Sequence, residues 1–424
     1  MRYRKFGLLL GLAALGAAVL TAGVAAGATS PSSSGIPYTV NPSYVYGFAA
    51  PSSIAQFPTP SQCVAADGLA CYTPSEIRTA YDVPKTATGA GQTIVIVDAY
   101  GSPTIRQDLA TFDSEFGLPA PTLNIIYPGG SPTYNPLQNH AEANWAFETS
   151  LDVEWSHAIA PQATIDLVIA ANNAGNVLNN AQQYVVDNHL GSVMSDSFGF
   201  PEGVLNGNNG QVNQAHAIYQ QAQAEKMTVL VSSGDFGANN QLSFVNASYP
   251  ASDPLVTSVG GTNLFLSDTG TYQSETVWND SDPALCPFGC TSGVFGATGG
   301  APSLIFPGRS TSDVGYNASV YTGVMTFISF PGVSPGFYFT GGTSEGAPQW
   351  AGIVADANQA AGHPLGYLDN ALFAAPSADF HDVTVGENGF YGPGEQAGPG
   401  YDMPTGLGSP DVAKLIKTLS GSKH

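Results

Sequence analysis

The chain has 424 residues, 43% of them hydrophobic, which is enough for a large core in one or two domains and argues against disorder. Only 10% are charged, and 32 acidic residues stand against 11 basic ones, so nucleic acid is excluded as an expected partner. A base-poor surface gathers little positive charge in an acidic medium, which points to tolerance of low pH, although general solubility or adaptation to salt would use the same composition.

In chain order, Met1-Arg2-Tyr3-Arg4-Lys5 is a basic start, residues 6–24 are apolar, and Ala26-Gly27-Ala28 fits a small-residue cleavage site. Residues 1–28 therefore read as a signal peptide for a secreted, extracellular protein. An uncleaved membrane anchor is the competing reading, since the apolar run approaches spanning length. No later segment is apolar enough to span a membrane, so no stable anchor is expected after cleavage. Residues 29–74 are rich in Ser, Pro, Thr and Ala without a sustained period, as in a linker or loosely packed N-terminal arm. The four cysteines form two local groups, Cys63 with Cys71 and Cys286 with Cys290. In an oxidising compartment two short-loop disulfides are the simplest pairing, although three connectivities are possible. Cys-x-x-x-Cys can also hold zinc, but no histidine lies near it.

From Ser75 the pattern changes. Residues 93–98 (TIVIVD) suit a buried parallel strand, followed by a helix from about Pro103 to Gly117. Strand-like runs at 163–170, 192–198 and 227–232 alternate with helix-like runs at 177–188 and 211–225. That alternation predicts an α/β fold with a mainly parallel sheet and helices on both faces. Residues 268–312 are Gly- and Asn-rich and receive no assignment. Asn246, Asn279 and Asn317 lie in glycosylation sequons.

Three places carry chemistry. Gly342-Thr343-Ser344-Glu345-Gly346-Ala347-Pro348 follows a short strand-like run and opens a helix. Ser344 would therefore sit where free N–H groups and the positive dipole end favour a developing oxyanion. An N-cap serine is the plain alternative. A serine nucleophile needs a base, yet none of the seven histidines lies in a subtilisin-like His-Gly-Thr setting. Residues 141–158 read as a helix on which Glu148 and Asp152, at i and i+4, share a face. Two such acids become a favourable pair when they share one proton. A solvated acidic face including Glu154 is the alternative, opposed by Trp145, Phe147, Leu151 and Trp155 on the same helix. Finally, Asp235 follows the 227–232 strand in Ser233-Gly234-Asp235, at the edge where open parallel sheets place ligands. A protonated acid there could donate to an oxyanion; a turn aspartate would look the same.

With these residues in place, the chain resembles the sedolisin or serine-carboxyl peptidases, which are subtilisin-like in fold with glutamate in place of the histidine base. The resemblance runs from about residue 75 to 418. It rests on Ile77-Arg78-Thr79-Ala80-Tyr81-Asp82, the strand ending at Asp98, Glu148-x-x-x-Asp152, Ser233-Gly234-Asp235, Tyr249-Pro250-Ala251-Ser252 leading to Val259-Gly260-Gly261-Thr262, and the Ser344 motif. It implies a peptidase domain at 75–420 in which Ser344 is nucleophile, Glu148 its general base, Asp152 the acid that shares a proton with Glu148, and Asp235 the oxyanion donor. It further implies protein or peptide substrates, an acidic optimum, a monomer, and one structural Ca2+ in a C-terminal loop. That ion would be held by the side chains of Asp382 and Asp402 and the carbonyls of Val383, Gly398 and Gly400, an oxygen-only set that suits calcium.

Two departures stand out. Family members commonly carry a large N-terminal prodomain, whereas 46 residues separate Ala28 from Ser75, so 29–74 is expected to be a short replacement or a surface arm. Asp196, in Met194-Ser195-Asp196-Ser197, stands where the family usually has an uncharged residue, and could alter the substrate cleft or be a local hydrogen-bonding variation. The rivals are an esterase or lipase using Gly342-Thr343-Ser344-Glu345-Gly346 as a nucleophile elbow with Asp369 and His381, and a non-catalytic binding protein on the same scaffold.

Overall fold

A computed structural model describes residues 41–42, 57–137, 139–205, 207, 209–285 and 295–421. The signal-peptide reading, most of the N-terminal arm and the Cys286–Cys290 pair lie outside the described residues. The strands are β1 (Asn41–Pro42), β2 (Thr93–Ala99), β3 (Thr122–Ile126), β4 (Thr164–Ala170), β5 (Val193–Asp196), β6 (Phe198–Pro201), β7 (Thr228–Ser232), β8 (Ser248–Tyr249), β9 (Thr257–Leu266), β10 (Tyr272–Val277), β11 (Val314–Asn317), β12 (Val324–Ile328), β13 (Gly336–Thr340), β14 (Phe380–His381) and β15 (Ser409–Pro410). The helices are α1 (Pro60–Asp67), α2 (Pro74–Ala80), α3 (Ile105–Phe116), α4 (His140–Ile159), α5 (Gly175–Asp187), α6 (Gly210–Ala224), α7 (Thr343–Ala361), α8 (Asp369–Leu372) and α9 (Val412–Leu419).

The central sheet runs β10-β9-β7-β5-β2-β4-β3, with β11 also on β9. Every pairing in it is parallel except β10 on β9. Alternation along β2 sends Ile94 and Ile96 into one apolar layer with α4 and α7, and Val95 and Val97 into another with α5 and α6. Because both faces are covered, β2 reads as a continuous apolar run in sequence. The predicted α/β fold, mainly parallel with helices on both faces, is the one observed.

One helix contact positions the site. A Cβ at Gly352 of α7 would meet Ile159 Cβ of α4 at 2.7 Å and the Ser156 carbonyl at 3.2 Å. Glycine is therefore what lets the two helices touch. Eight residues separate Ser344 from Gly352, and eight separate Glu148 from Ser156. At 1.5 Å per residue, Ser344 and Glu148 each lie about 12 Å back along their helix from this contact.

The described part of the arm is not loose. Helix α1 carries a capping box between Thr59 and Gln62, and Cys63 is bonded to Cys71. Ala70 N–H donates to the Tyr321 carbonyl at 2.7 Å, Tyr72 N–H to the Gly323 carbonyl at 3.0 Å, and Tyr72 Oη to the Leu264 carbonyl at 2.7 Å. Cys63, Leu69, Cys71 and Tyr72 are buried in the main core. Packing that starts at Phe57 corrects the expectation of a linker or surface arm up to residue 74, since composition hid a short, stapled helix. The three sequon asparagines also differ from the usual surface loop: Asn246, Asn279 and Asn317 are all buried, so a folded chain offers none of them for glycosylation.

Candidate active site

Ser344 is the second residue of α7, after Gly342 at φ 110°, a backbone angle that side chains resist. First-turn N–H groups of a helix lack partners one turn back; here Thr343 N–H is taken by Asp235 and Glu345 N–H by the Gly342 carbonyl, on either side of the serine. It is completely buried by its surroundings, as are Glu148 and Asp152. Neither Glu148 nor Asp152 lies on a solvated face, because α4 is covered nearly all round. Glu154 is buried as well and accepts from Phe327 N–H at 2.8 Å, which removes the reading of a solvated acidic face.

Of the three predicted acids, Glu148 lies beside the serine, and the charges of Asp152 and Asp235 are felt at Glu148. Burial first, then the Asp152 charge, pushes Glu148 well above the usual glutamate range, with Asp98 and Asp235 adding to the rise. The Ser344 hydroxyl lies close enough to pull Glu148 the other way, although no hydrogen bond of regular geometry joins them. Asp152 is raised well above the carboxylate range by burial, then by Asp98 and Asp196, against a 2.9 Å hydrogen bond from Ser197 Oγ to its Oδ1. Asp235 is pinned to the start of α7: its Oδ1 accepts from Thr343 N–H at 2.8 Å and from Thr343 Oγ1 at 2.7 Å. Gly234 N–H completes the link by donating to Thr343 Oγ1 at 3.0 Å.

Two further acids stand in the set. Burial raises Asp98, at the end of β2, to about 7, opposed by the nearby Thr149 hydroxyl. Burial raises Asp196, at the end of β5, to about 8, opposed by Gln182. The sequence signal for Asp98 was an acid closing an apolar strand at the ligand-bearing end of a parallel sheet; it was read as a strand boundary. Among the described residues none of Asp98, Glu148, Asp152 and Asp196 forms an ion pair with Lys, Arg or His. Such a set is stable only while it holds protons.

The elbow partners are elsewhere. His381 stacks on Tyr272 with ring centroids 4.0 Å apart, and Asp369 Oδ1 accepts from Thr257 Oγ1 at 2.7 Å. Neither serves Ser344, whose Oγ has no histidine partner among the described residues.

In the C-terminal loop, Asp402 accepts from Gly398 N–H at 3.0 Å and Thr405 N–H at 2.9 Å, and Asp382 accepts from Gly400 N–H at 3.0 Å. The Asp382 charge is felt at Asp402, so the two carboxylates share one neighbourhood, with Val383 buried next to Asp382. No cluster of three or more His, Cys, Asp or Glu occurs among the described residues, so an ion here would depend on backbone carbonyls. Two like charges drawn together in a glycine loop, with oxygen donors only, fit calcium by chemistry.

The fold and the buried serine with its carboxylates define a subtilisin-like α/β protein with an acid, not a histidine, beside Ser344. No protein-family model matches the chain. It is 34% identical to kumamolisin from Bacillus sp. (strain MN-32), over 82% of this chain and 63% of that protein. It is 31% identical to sedolisin from Pseudomonas sp. (strain 101), over 81% of this chain and 60% of that protein. The solved structure of Pseudomonas sedolisin, a serine-carboxyl proteinase, superposes with a TM-score of 0.72 and 28% identity, covering 83% of this chain and 98% of that one. The chain belongs to the sedolisin family. It spans less than two thirds of the length of these curated relatives, 63% and 60%.

Proposed function

We propose that this protein is a secreted, acid-active serine-carboxyl peptidase that hydrolyses peptide bonds in proteins or peptides. The observation that carries the reading is the placement of Ser344 at the first turn of α7 against Glu148 of α4, with Asp235 tied to the adjacent Thr343. Ser344 Oγ attacks the peptide carbonyl while Glu148 takes its proton. Asp152 holds the proton it shares with Glu148 and fixes the geometry of the pair. The oxyanion is met by the Ser344 N–H and by Asp235; since Asp235 Oδ1 already accepts twice from Thr343, the proton it donates sits on Oδ2. Glu148 then protonates the leaving amine, and water releases the acyl group by the reverse sequence.

An acid base of this kind works at low pH, because the pair must keep one proton and Asp235 must keep its own. Calcium, when bound by Asp382, Asp402 and the carbonyls of Val383, Gly398 and Gly400, would tie the C-terminal loop together and take no part in the reaction. The substrate class follows from the relatives, and the enzyme is read as a monomer without a membrane anchor. No helix among the described residues is long and apolar enough to cross a membrane.

The test is casein digestion from pH 3 to 8, beside short-chain ester hydrolysis at neutral pH, for the wild type, Ser344→Ala and Glu148→Ala. Casein cleavage at acidic pH that both variants lose supports the reading. A neutral or alkaline optimum, ester cleavage alone, or indifference to both substitutions rejects it.

A further inference from the structure

Asp196, Ser197 and Gln182 are buried beside the site and have no part in the mechanism above. Strand β5 ends at Asp196, and alternation turns successive side chains to opposite faces of the sheet. Asp196 goes to the face covered by α5 and α6: Gln182 Nε2 of α5 donates to its Oδ2 at 2.6 Å and to Tyr219 Oη of α6 at 2.9 Å. It is fully buried there, so the charged residue at this position does not line a solvent-open cleft. The next residue turns the other way, and Ser197 Oγ donates to Asp152 Oδ1 at 2.9 Å.

That contact has a chemical consequence. An oxygen that accepts a hydroxyl proton is poorly placed to carry an acid proton as well. Asp152 Oδ2 is buried and has no partner among the described residues, so it is the oxygen left for the proton shared with Glu148. We propose that Ser197 is a positioning residue of the site: its hydroxyl fixes which Asp152 oxygen carries the shared proton, and the Gln182–Asp196 hydrogen bond on the opposite face holds Ser197 at that angle. The inference rests on reading Glu148 and Asp152 as the base and its partner.

The groups facing Asp152 are Glu148 on α4, Asp98 on β2 and Asp196 on β5; Glu148 is in turn faced by Ser344 on α7 and Asp235 after β7. All the charged ones are acids, and Asp98 and Asp196 disfavour ionisation of Asp152. Ser197 is the neighbour that favours it. Without that hydroxyl, Asp152 holds its proton to higher pH, and the proton has two oxygens to choose from.

The experiment is the pH profile of kcat and KM on a peptide substrate for the wild type, Ser197→Ala, Ser197→Thr and Ser197→Cys, with Asp196→Ala and Asp196→Asn for the clamp. Ser197→Ala is expected to lower kcat about tenfold with KM little changed and to move the alkaline limb of kcat up by about one pH unit, one strong hydrogen bond's worth. Ser197→Thr restores both; Ser197→Cys, a weaker donor, falls between. Asp196→Ala gives a smaller shift in the same direction, and Asp196→Asn, which still accepts from Gln182, stays close to wild type. Unmoved limbs in Ser197→Ala, or a kcat loss that Ser197→Thr does not repair, overturn the proposal. A readout without turnover separates it from the peptidase reading: the infrared carboxyl band of Asp152, assigned with Asp152→Asn in a Ser344→Ala background, should titrate at higher pH in Ser197→Ala. If the wild type cleaves no peptide bond, the peptidase reading fails and the infrared titration still decides. If Ser197→Ala does not fold, Ser197→Cys and Asp196→Ala carry the same two readouts.

Discussion

Thr343 binds Asp235 twice, through its N–H at 2.8 Å and its Oγ1 at 2.7 Å, so the residue just before the serine fixes the acid after β7. Thr343→Val keeps the N–H contact and loses the hydroxyl one. We expect kcat/KM to fall about tenfold, about the effect of one hydrogen bond. Asp235→Ala should cost more, about 10²–10³ in kcat, the usual effect of removing an oxyanion donor. Steady-state peptide hydrolysis at acidic pH, with circular dichroism as a fold check, reads both; a Thr343→Val enzyme of full activity would deny the positioning.

Ser344 and Glu148 act as a unit in the proposed reaction. Ser344→Ala and Glu148→Gln should each lower kcat by more than about 10³, and the double variant should be scarcely worse than either single one. Multiplying losses would mean that the two side chains contribute separately. Glu148→Gln keeps the shape of the buried side chain, so thermal melting should change little.

Stability should depend on pH in an unusual direction. Asp98 and Asp280 hold their protons in the folded protein to about 7, and Asp196 to about 8, each mainly because of burial. In the unfolded chain an aspartate releases its proton near pH 4, roughly. Between those values the folded state binds more protons, so the free energy of unfolding falls as pH rises. The contribution is complete below about pH 4 and is lost progressively toward pH 8. Melting temperatures measured from pH 3 to 8 should peak on the acid side; a maximum at neutral pH would contradict these assignments.

The C-terminal loop offers a test that needs no substrate. Stripping divalent ions with a chelator should lower the melting temperature, and added calcium should restore it. Asp402→Ala should melt low from the start and ignore the chelator, provided its hydrogen bonds to Thr405 and Gly398 account for only part of the loss. A wild type indifferent to the chelator would remove calcium from the account.

Much of this was readable from residues alone, for identifiable reasons. Strand β2 announced itself because a strand covered on both faces must be apolar throughout, and α4 because Trp145, Leu151 and Trp155 recur among its acids. In sequence Asp98 marks only the end of a strand, because an acid after Ile96 and Val97 looks like one, while the tertiary fold shows it enclosed. Glu154 was hidden for the same reason: its Phe327 partner is 173 positions away. Strand β10 escaped because its pairing with β9 includes a register shift between Tyr272 and Ser274, which breaks simple alternation. Helix α1, only eight residues long, left no period to detect.

Gly352 makes α7 and α4 a pair of callipers set at a point that no substrate touches. With no side chain on the α7 side, the gap at the far end, where a hydroxyl must meet a carboxyl, is gauged by direct contact of the Gly352 backbone with the Ile159 side chain and the Ser156 carbonyl. Gly352→Ala would add a single methyl group and about 1–3 kcal/mol of overpacking. Its larger effect should be mechanical: the jaws open, and turnover drops further than the lost stability accounts for.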